Sequence, residues 1–174
     1  MKIKWKLQGL IPLALSFGLV GCQLDFSEYV QSAPQQIEAD VTFYQDVKYT
    51  GLDDQDRMFD VFVPQSCDGS CPWVFYIHGG GFTSGERQTV YQSSDTLPAV
   101  NELLNSGIAV ATVSYRKLDI NNIEPEGVLK PLNDIKDAFQ SLRGAALAIG
   151  LSPDKTVLIG ESAGAGAALW LGYQ

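Results

Sequence analysis

Histidine is nearly absent from this chain: His78 is the single one among 174 residues. Cysteine is almost as scarce, at Cys22, Cys67 and Cys71. A zinc centre takes about four N or S ligands, and no histidine stands near Cys67 and Cys71 to complete one, so no metal is expected. Positive charge is also short, with 12 Lys and Arg against 20 Asp and Glu. Residues 1–21 hold three of those lysines, which leaves nine basic residues against 20 acidic ones, a formal −11. Such a surface argues against nucleic acid or anionic lipid head groups as partners. The triple glycine Gly79–Gly81 is followed by no G-K-[ST], and no G-x-G-x-x-G can be read, so nucleotide binding is not expected. Internal repeats and low-complexity tracts are missing, and the apolar stretch Leu7–Val20 is too short to cross a bilayer comfortably.

That stretch has another reading. Lys2, Lys4 and Lys6 precede it, and Leu19-Val20-Gly21-Cys22 closes it, the layout of a secretory signal peptide with a small residue at the cleavage point. The tetrapeptide resembles the bacterial lipobox, in which the cysteine is acylated and becomes the mature N-terminus; a plain cleaved signal peptide is the alternative. The expected organisation is a signal peptide over 1–21, a lipidated Cys22 with a polar tether over 22–40, and a folded part over 41–174. Each buried acyl methylene contributes ~0.8 kcal/mol to anchoring. Gln23 stands where an Asp would resemble an inner-membrane retention signal, so the outer membrane of the cell envelope is the expected location. In that oxidising compartment Cys67 and Cys71 are expected to pair across the Asp68-Gly69-Ser70 turn. So small a loop gains only about 2 kcal/mol in the chain-entropy picture.

Periodicity separates strands from helices. Val41–Tyr49 and Met58–Val63 read as strands forming an antiparallel pair at a sheet edge, the second ended by Pro64. Trp73–Ile77, Ile108–Val113 and Thr156–Ile159 are short continuous apolar runs, which fit strands buried on both faces. Between them lie helical stretches: 97–104, stopped by Gly107, and a clear stripe of Leu132, Ile135, Phe139, Leu142, Ala146 and Ile149. Pro131 marks the start of the second and Gly150 its end, and a third helix begins after Gly164. The alternation predicts an α/β fold, mostly parallel, with helices on both faces. Cut after the third helix, such a sheet would leave an apolar edge, so the architecture reads as truncated.

Two motifs carry chemistry. Gly160-Glu161-Ser162-Ala163-Gly164 reads G-x-S-x-G, the tight turn that presents a nucleophilic serine. A buried-strand run leads into it, and small residues lead out into a helix. His78-Gly79-Gly80-Gly81-Phe82 follows its own buried strand, where glycine N–H groups can face a developing oxyanion without side chains in the way. Each motif alone is weak; both in this order are specific. Together they resemble the α/β-hydrolase esterases and lipases, particularly the hormone-sensitive-lipase-like and type-B carboxylesterase branches. Ser114-Tyr115-Arg116 resembles their V-x-Y-R segment, and Leu151-Ser152-Pro153-Asp154-Lys155 resembles the stretch before their serine. The resemblance covers about 41–174, roughly the N-terminal half of such a domain.

What the resemblance implies is a carboxylic ester hydrolase working through an acyl-enzyme on a small-molecule ester, without metal or organic cofactor. Ser162 would be the nucleophile, and the N–H groups of Gly80, Gly81 and Ala163 the oxyanion hole. In such folds the triad runs Ser, then Asp or Glu, then His. No acidic residue or histidine follows Ser162, so this chain alone is expected to be inactive. His78 stands in the wrong place in that order and is expected to brace its loop. Glu161 is expected to be structural, Asp134 and Asp137 to complement a helix dipole in its first turn, and Trp73 and Trp170 to be core. Two other readings stay open: a serine peptidase of the same fold, and a non-catalytic surface protein that keeps a hydrolase fold for binding.

Overall fold

A computed structural model of the chain describes residues 24–122 and 124–174. The signal-peptide and Cys22 expectations lie outside the described residues. Among these, one sheet contains β1 (Val30–Gln31), β2 (Val41–Lys48), β3 (Met58–Pro64), β4 (Cys71–Ile77), β5 (Ala109–Val113) and β6 (Leu151–Gly160). Four α-helices accompany it: α1 (Thr89–Gln92), α2 (Leu97–Asn105), α3 (Leu129–Ala145) and α4 (Ala163–Gly172). The strand order is β1-β2-β3-β5-β4-β6.

The α/β fold with helices on both faces is found, with a change in proportion. β5, β4 and β6 are parallel, whereas β1–β2, β2–β3 and β3–β5 are antiparallel. The sheet is parallel in its C-terminal part only, and the reason lies between β3 and β4. Residues 65–70 are too few for a crossover, which takes about a dozen, so β4 runs in the opposite direction to β3 without pairing with it. β5 comes after α1 and α2, aligns parallel with β4, and enters between β4 and β3. The predicted antiparallel pair forms as β2–β3, but β3 is an interior strand and β1 covers the far side of β2.

Alternation along the strands divides the core. Phe59 and Val61 of β3, Trp73, Phe75 and Ile77 of β4 and Ala111 and Val113 of β5 pack with Ile135, Ala138 and Leu142 of α3 and Ala167 of α4. On the other face Phe62 and Val110 meet Val90, Tyr91, Val100 and Leu104. The predicted α3 stripe is buried at Leu132, Ile135, Leu142, Ala146 and Ile149, with Phe139 partly covered. α3 begins at Leu129 rather than at Pro131; a proline in the first turn forfeits no intrahelical bond. Gly150 ends the following 3-10 turn at φ +82°, a left-handed position that suits glycine. β6 borders the sheet among the described strands, with Val157 57 % and Ile159 40 % exposed.

The tether reading of 22–40 needs correction from Leu24 onward. Phe26 is buried and meets Tyr44 edge-on at 5.2 Å and Phe59 at 6.4 Å. Ile37 is buried on the opposite face, and Asn101 fastens its neighbours, accepting from Glu38 N at 3.1 Å and donating to Gln36 O at 3.0 Å. The segment looks like a tether by composition because few of its side chains are apolar. Those few find places on the sheet, and β1 pairs with β2. Across the sheet, Cys67 and Cys71 are joined in a disulfide, their Cα atoms 5.3 Å apart, in the turn between β3 and β4.

Candidate active site

β6 hands over to α4 through Gly160–Ala163, and this turn is unusually tight. Ser162 sits at φ 50°, ψ −116°, which a residue with a Cβ rarely adopts. Both motif glycines are required by contact. A Cβ on Gly160 would run into the carbonyl of Gly164, and one on Gly164 into the carbonyls of Ile77 and His78 at the end of β4. The pairing of Ile77 with Gly160 and the bond from Glu161 N to Ile77 O at 3.2 Å register the turn against β4. Ser162 is left exposed at the carboxyl end of the strands.

The glycine loop leaves the end of β4 beside that turn. A Cβ built on Gly79 would lie 3.0 Å from the Glu161 carbonyl oxygen and 3.4 Å from Ser162 Cβ, so the two motifs lie side by side. Gly80 (φ +106°), Gly81 (φ +62°) and Phe82 (φ +62°) are all left-handed, which coils the loop tightly. Gly80 O accepts from Thr83 N and Ser84 N, each at 3.0 Å. Phe82 O accepts from Leu118 N at 2.8 Å. Among the described residues, no hydrogen bond uses the N–H groups of Gly80, Gly81 or Ala163.

His78 lies beneath the loop. Its ring is buried and stacks on Tyr115 with centroids 4.3 Å apart. Nδ1 is 2.7 Å from the carbonyl of Gly79, a group that only accepts, so the proton lies on Nδ1. Tyr115 Oη donates to His78 O at 2.9 Å. Burial pushes the imidazole pKa below its ordinary value, only partly offset by the Gly79 bond. Nε2 is buried with no partner among the described residues. Burial thus disfavours the charged ring, which braces the loop through Gly79 and Tyr115, and neither nitrogen bonds Ser162.

The other acidic candidates are occupied elsewhere. α3 starts early enough that Asp134 lies past its first turn, so the dipole reading gives way to an ion pair. Arg116 grips Asp134 with Nε at 2.8 Å from Oδ2 and Nη2 at 2.7 Å from Oδ1. Glu161 accepts from Tyr76 Oη at 3.3 Å on the surface. Trp73 is buried and donates from Nε1 to Ser152 O at 2.8 Å, and Trp170 packs partly buried against the core. A cleft of about 640 Å³ runs along β6 and α4, lined by Ile159, Ala165 and Leu169 among others, and does not include Ser162. Sequence reasoning missed Arg87, buried just past the glycine loop. Its acceptors come from Asp46, Gln55, Asp60 and Ser114, and no local pattern joins those positions.

A serine at a strained strand-to-helix turn, beside a glycine loop at the end of the adjacent parallel strand, defines an α/β-hydrolase of the esterase and lipase type. The BD-FAE family model matches residues 59–174, and the chain belongs to that family. It is 29% identical over 149 residues to phenmedipham hydrolase of Pseudarthrobacter oxydans, a match covering 81% of this chain and 28% of that protein. Among solved structures, a truncated carbohydrate esterase from gut microbiota matches with a TM-score of 0.62 at 19% identity, over 79% of this chain and 45% of that one. An inhibited esterase B from Lactobacillus rhamnosis matches at 0.58 and 23%, over 77% and 39%. A bacterial heroin esterase matches at 0.55 and 26%, over 80% and 40%. The chain thus spans less than half the length of each of these proteins.

Proposed function

We propose that this chain carries the nucleophile and oxyanion-binding part of a serine hydrolase that cleaves small-molecule carboxylic esters through an acyl-enzyme. The observation that carries this reading is the closeness of the two motifs, where a Cβ added to Gly79 would lie 3.4 Å from Ser162 Cβ, together with the N–H groups of Gly80, Gly81 and Ala163, which no hydrogen bond uses among the described residues. Ser162 Oγ attacks the ester carbonyl while a base takes its proton. The carbonyl π electrons move to oxygen, and those three N–H groups hold the resulting alkoxide. One such donor is worth ~2.7–4 kcal/mol in the transition state. The adduct collapses as the C–O bond to the alcohol breaks and the base returns its proton to the leaving oxygen. Water repeats the two steps and releases the acid.

His78 does not serve as that base, because its Nδ1 is committed to Gly79 and its Nε2 is buried. Residues 1–174 hold no other histidine, and this stretch by itself is expected to show no turnover. The test uses the natural gene product with p-nitrophenyl acetate and a fluorophosphonate. Hydrolysis and labelling at Ser162, both abolished in Ser162→Ala, are expected; activity that survives the substitution overturns the reading. Turnover by residues 1–174 alone, lost in Ser162→Ala, would overturn the exclusion of His78. The lipobox-like run Leu19–Cys22 supports anchoring through an acylated Cys22 in the bacterial envelope, at the outer membrane. Incorporation of labelled palmitate that is unaffected by Cys22→Ser would count against it.

A further inference from the structure

A guanidinium buried beneath a loop demands partners. The Arg87 side chain is 3% exposed, and Asp60, in the middle of β3, is fully buried. Arg87 Nε donates to Asp60 Oδ1 at 2.9 Å. Nη1 donates to the Gln55 carbonyl at 3.2 Å and to Ser114 Oγ at 3.3 Å, and Nη2 donates to Asp46 Oδ1. The backbone of Arg87 is held as well: its N–H donates to Ser114 Oγ at 3.2 Å, and its carbonyl accepts from Thr112 Oγ1 at 2.8 Å. Asp60 Oδ2 accepts from Tyr91 Oη at 2.8 Å.

The sheet is shaped around this group. β2 slips register between Tyr44 and Val47, and Asp46 in that bulge adopts φ 59°, a conformation residues with a Cβ rarely take. The bulge turns Asp46 N onto Asp60 Oδ1 at 2.8 Å and its carboxylate onto Arg87. Buried ion pairs add little net stability over well-packed apolar side chains. The cluster does, however, define where the chain stands at residue 87.

That position bears on the glycine loop. Gly85 lies so close beneath it that a Cβ there would run into His78 Nδ1 and the Gly79 carbonyl. The loop is therefore clamped at its start by His78 on Tyr115 and at its end by Arg87. We infer that Arg87, held by Asp60 and Asp46, is a positioning residue that presses the end of the loop onto His78 and so keeps the Gly80 and Gly81 amides beside Ser162. This rests on the reading of those amides as oxyanion donors. A lysine would not replace it, because one ammonium cannot reproduce a planar fork reaching β2, β3 and the segments at Gln55 and Ser114.

The single histidine supplies a readout that needs no activity. His78 is titrated by NMR in the 174-residue chain, in Arg87→Met, in the milder Asp46→Asn, and in Leu142→Ala, which weakens the core at α3. Loss of the clamp lets water reach the ring, so its pKa is expected to rise toward the ordinary value in Arg87→Met, and by less in Asp46→Asn. Leu142→Ala should leave it unchanged. In the natural gene product, Arg87→Met and Arg87→Lys should each lower kcat by about 10- to 100-fold, below the 10²–10³ of a deleted donor, with KM within threefold. An unmoved His78 titration in folded Arg87→Met or Asp46→Asn, an equal shift in Leu142→Ala, or full activity of Arg87→Lys overturns the proposal. Failure of the functional reading shows separately, as hydrolysis indifferent to Ser162→Ala, and leaves the His78 readout intact.

Discussion

Gly164 and Gly166 stand on the same helix, and the same methyl group should move stability in opposite directions at the two positions. A Cβ on Gly164 meets the carbonyl oxygens of Ile77 and His78, backbone groups at the end of β4 that cannot rotate aside. On Gly166 it meets nothing within 4 Å. Overpacking costs about 1–3 kcal/mol, and a contact with backbone belongs at the upper end. Alanine's helix preference returns roughly 1 kcal/mol, so Gly164→Ala should lose about 2 kcal/mol net. Gly166→Ala keeps the whole propensity gain of about 1 kcal/mol. For a domain of this size each kcal/mol moves Tm by about 2–4 °C. Circular-dichroism melts should therefore show Gly164→Ala about 4–8 °C below the parent and Gly166→Ala about 2–4 °C above it. Two shifts of the same sign, or an unmoved Gly164→Ala, would refute the account. The turn that sets Ser162 beside Gly79 would then not depend on the close approach of α4 to β4.

Further expectations test other contacts. Phe26→Ala should lose about 3–5 kcal/mol in urea unfolding if the segment before residue 41 is part of the core, and almost nothing if it is a tether. Asp134→Ala should cost about 1.5–3 kcal/mol, since it removes charge-assisted bonds from Arg116 to a buried carboxylate. His78 has a folded pKa below its unfolded one, so the stability it contributes is fully present above the ordinary imidazole value. That contribution falls as pH drops below that value toward the folded pKa, because the unfolded chain takes the proton first. His78→Gln should flatten this part of the stability–pH curve measured by urea unfolding.

The helices and strands were largely legible because their signals are short-range. The apolar runs ending at Ile77 and Val113 are signals within single elements and appear as strands close to those limits, whereas the strand expected over Thr156–Ile159 starts five residues earlier, at Leu151, and the stripe from Leu132 to Ile149 divides into a helix to Ala145 and a 3-10 turn. The juxtaposition of the two motifs was legible for a related reason. Each follows an apolar strand of the parallel part of the sheet, and parallel strands bring their carboxyl ends to one edge. Residues 24–40 misled because composition reports average polarity, whereas burial there depends on Phe26 and Ile37 finding partners on β2, β3 and α2.

From the order of residues alone come the α/β class, the tight serine turn and the glycine loop beside it, since each is encoded by neighbours along the chain and by what a Cβ would forbid. Only the assembled sheet decides that β5 enters between β3 and β4, and with it which polar groups end up buried together. Thr112 faces Asp60 because those strands pair, and Arg87 is enclosed because Asp46, Asp60 and Ser114 converge on it from separate parts of the chain. Ion pairing across strands follows strand order, and strand order is a property of the whole fold.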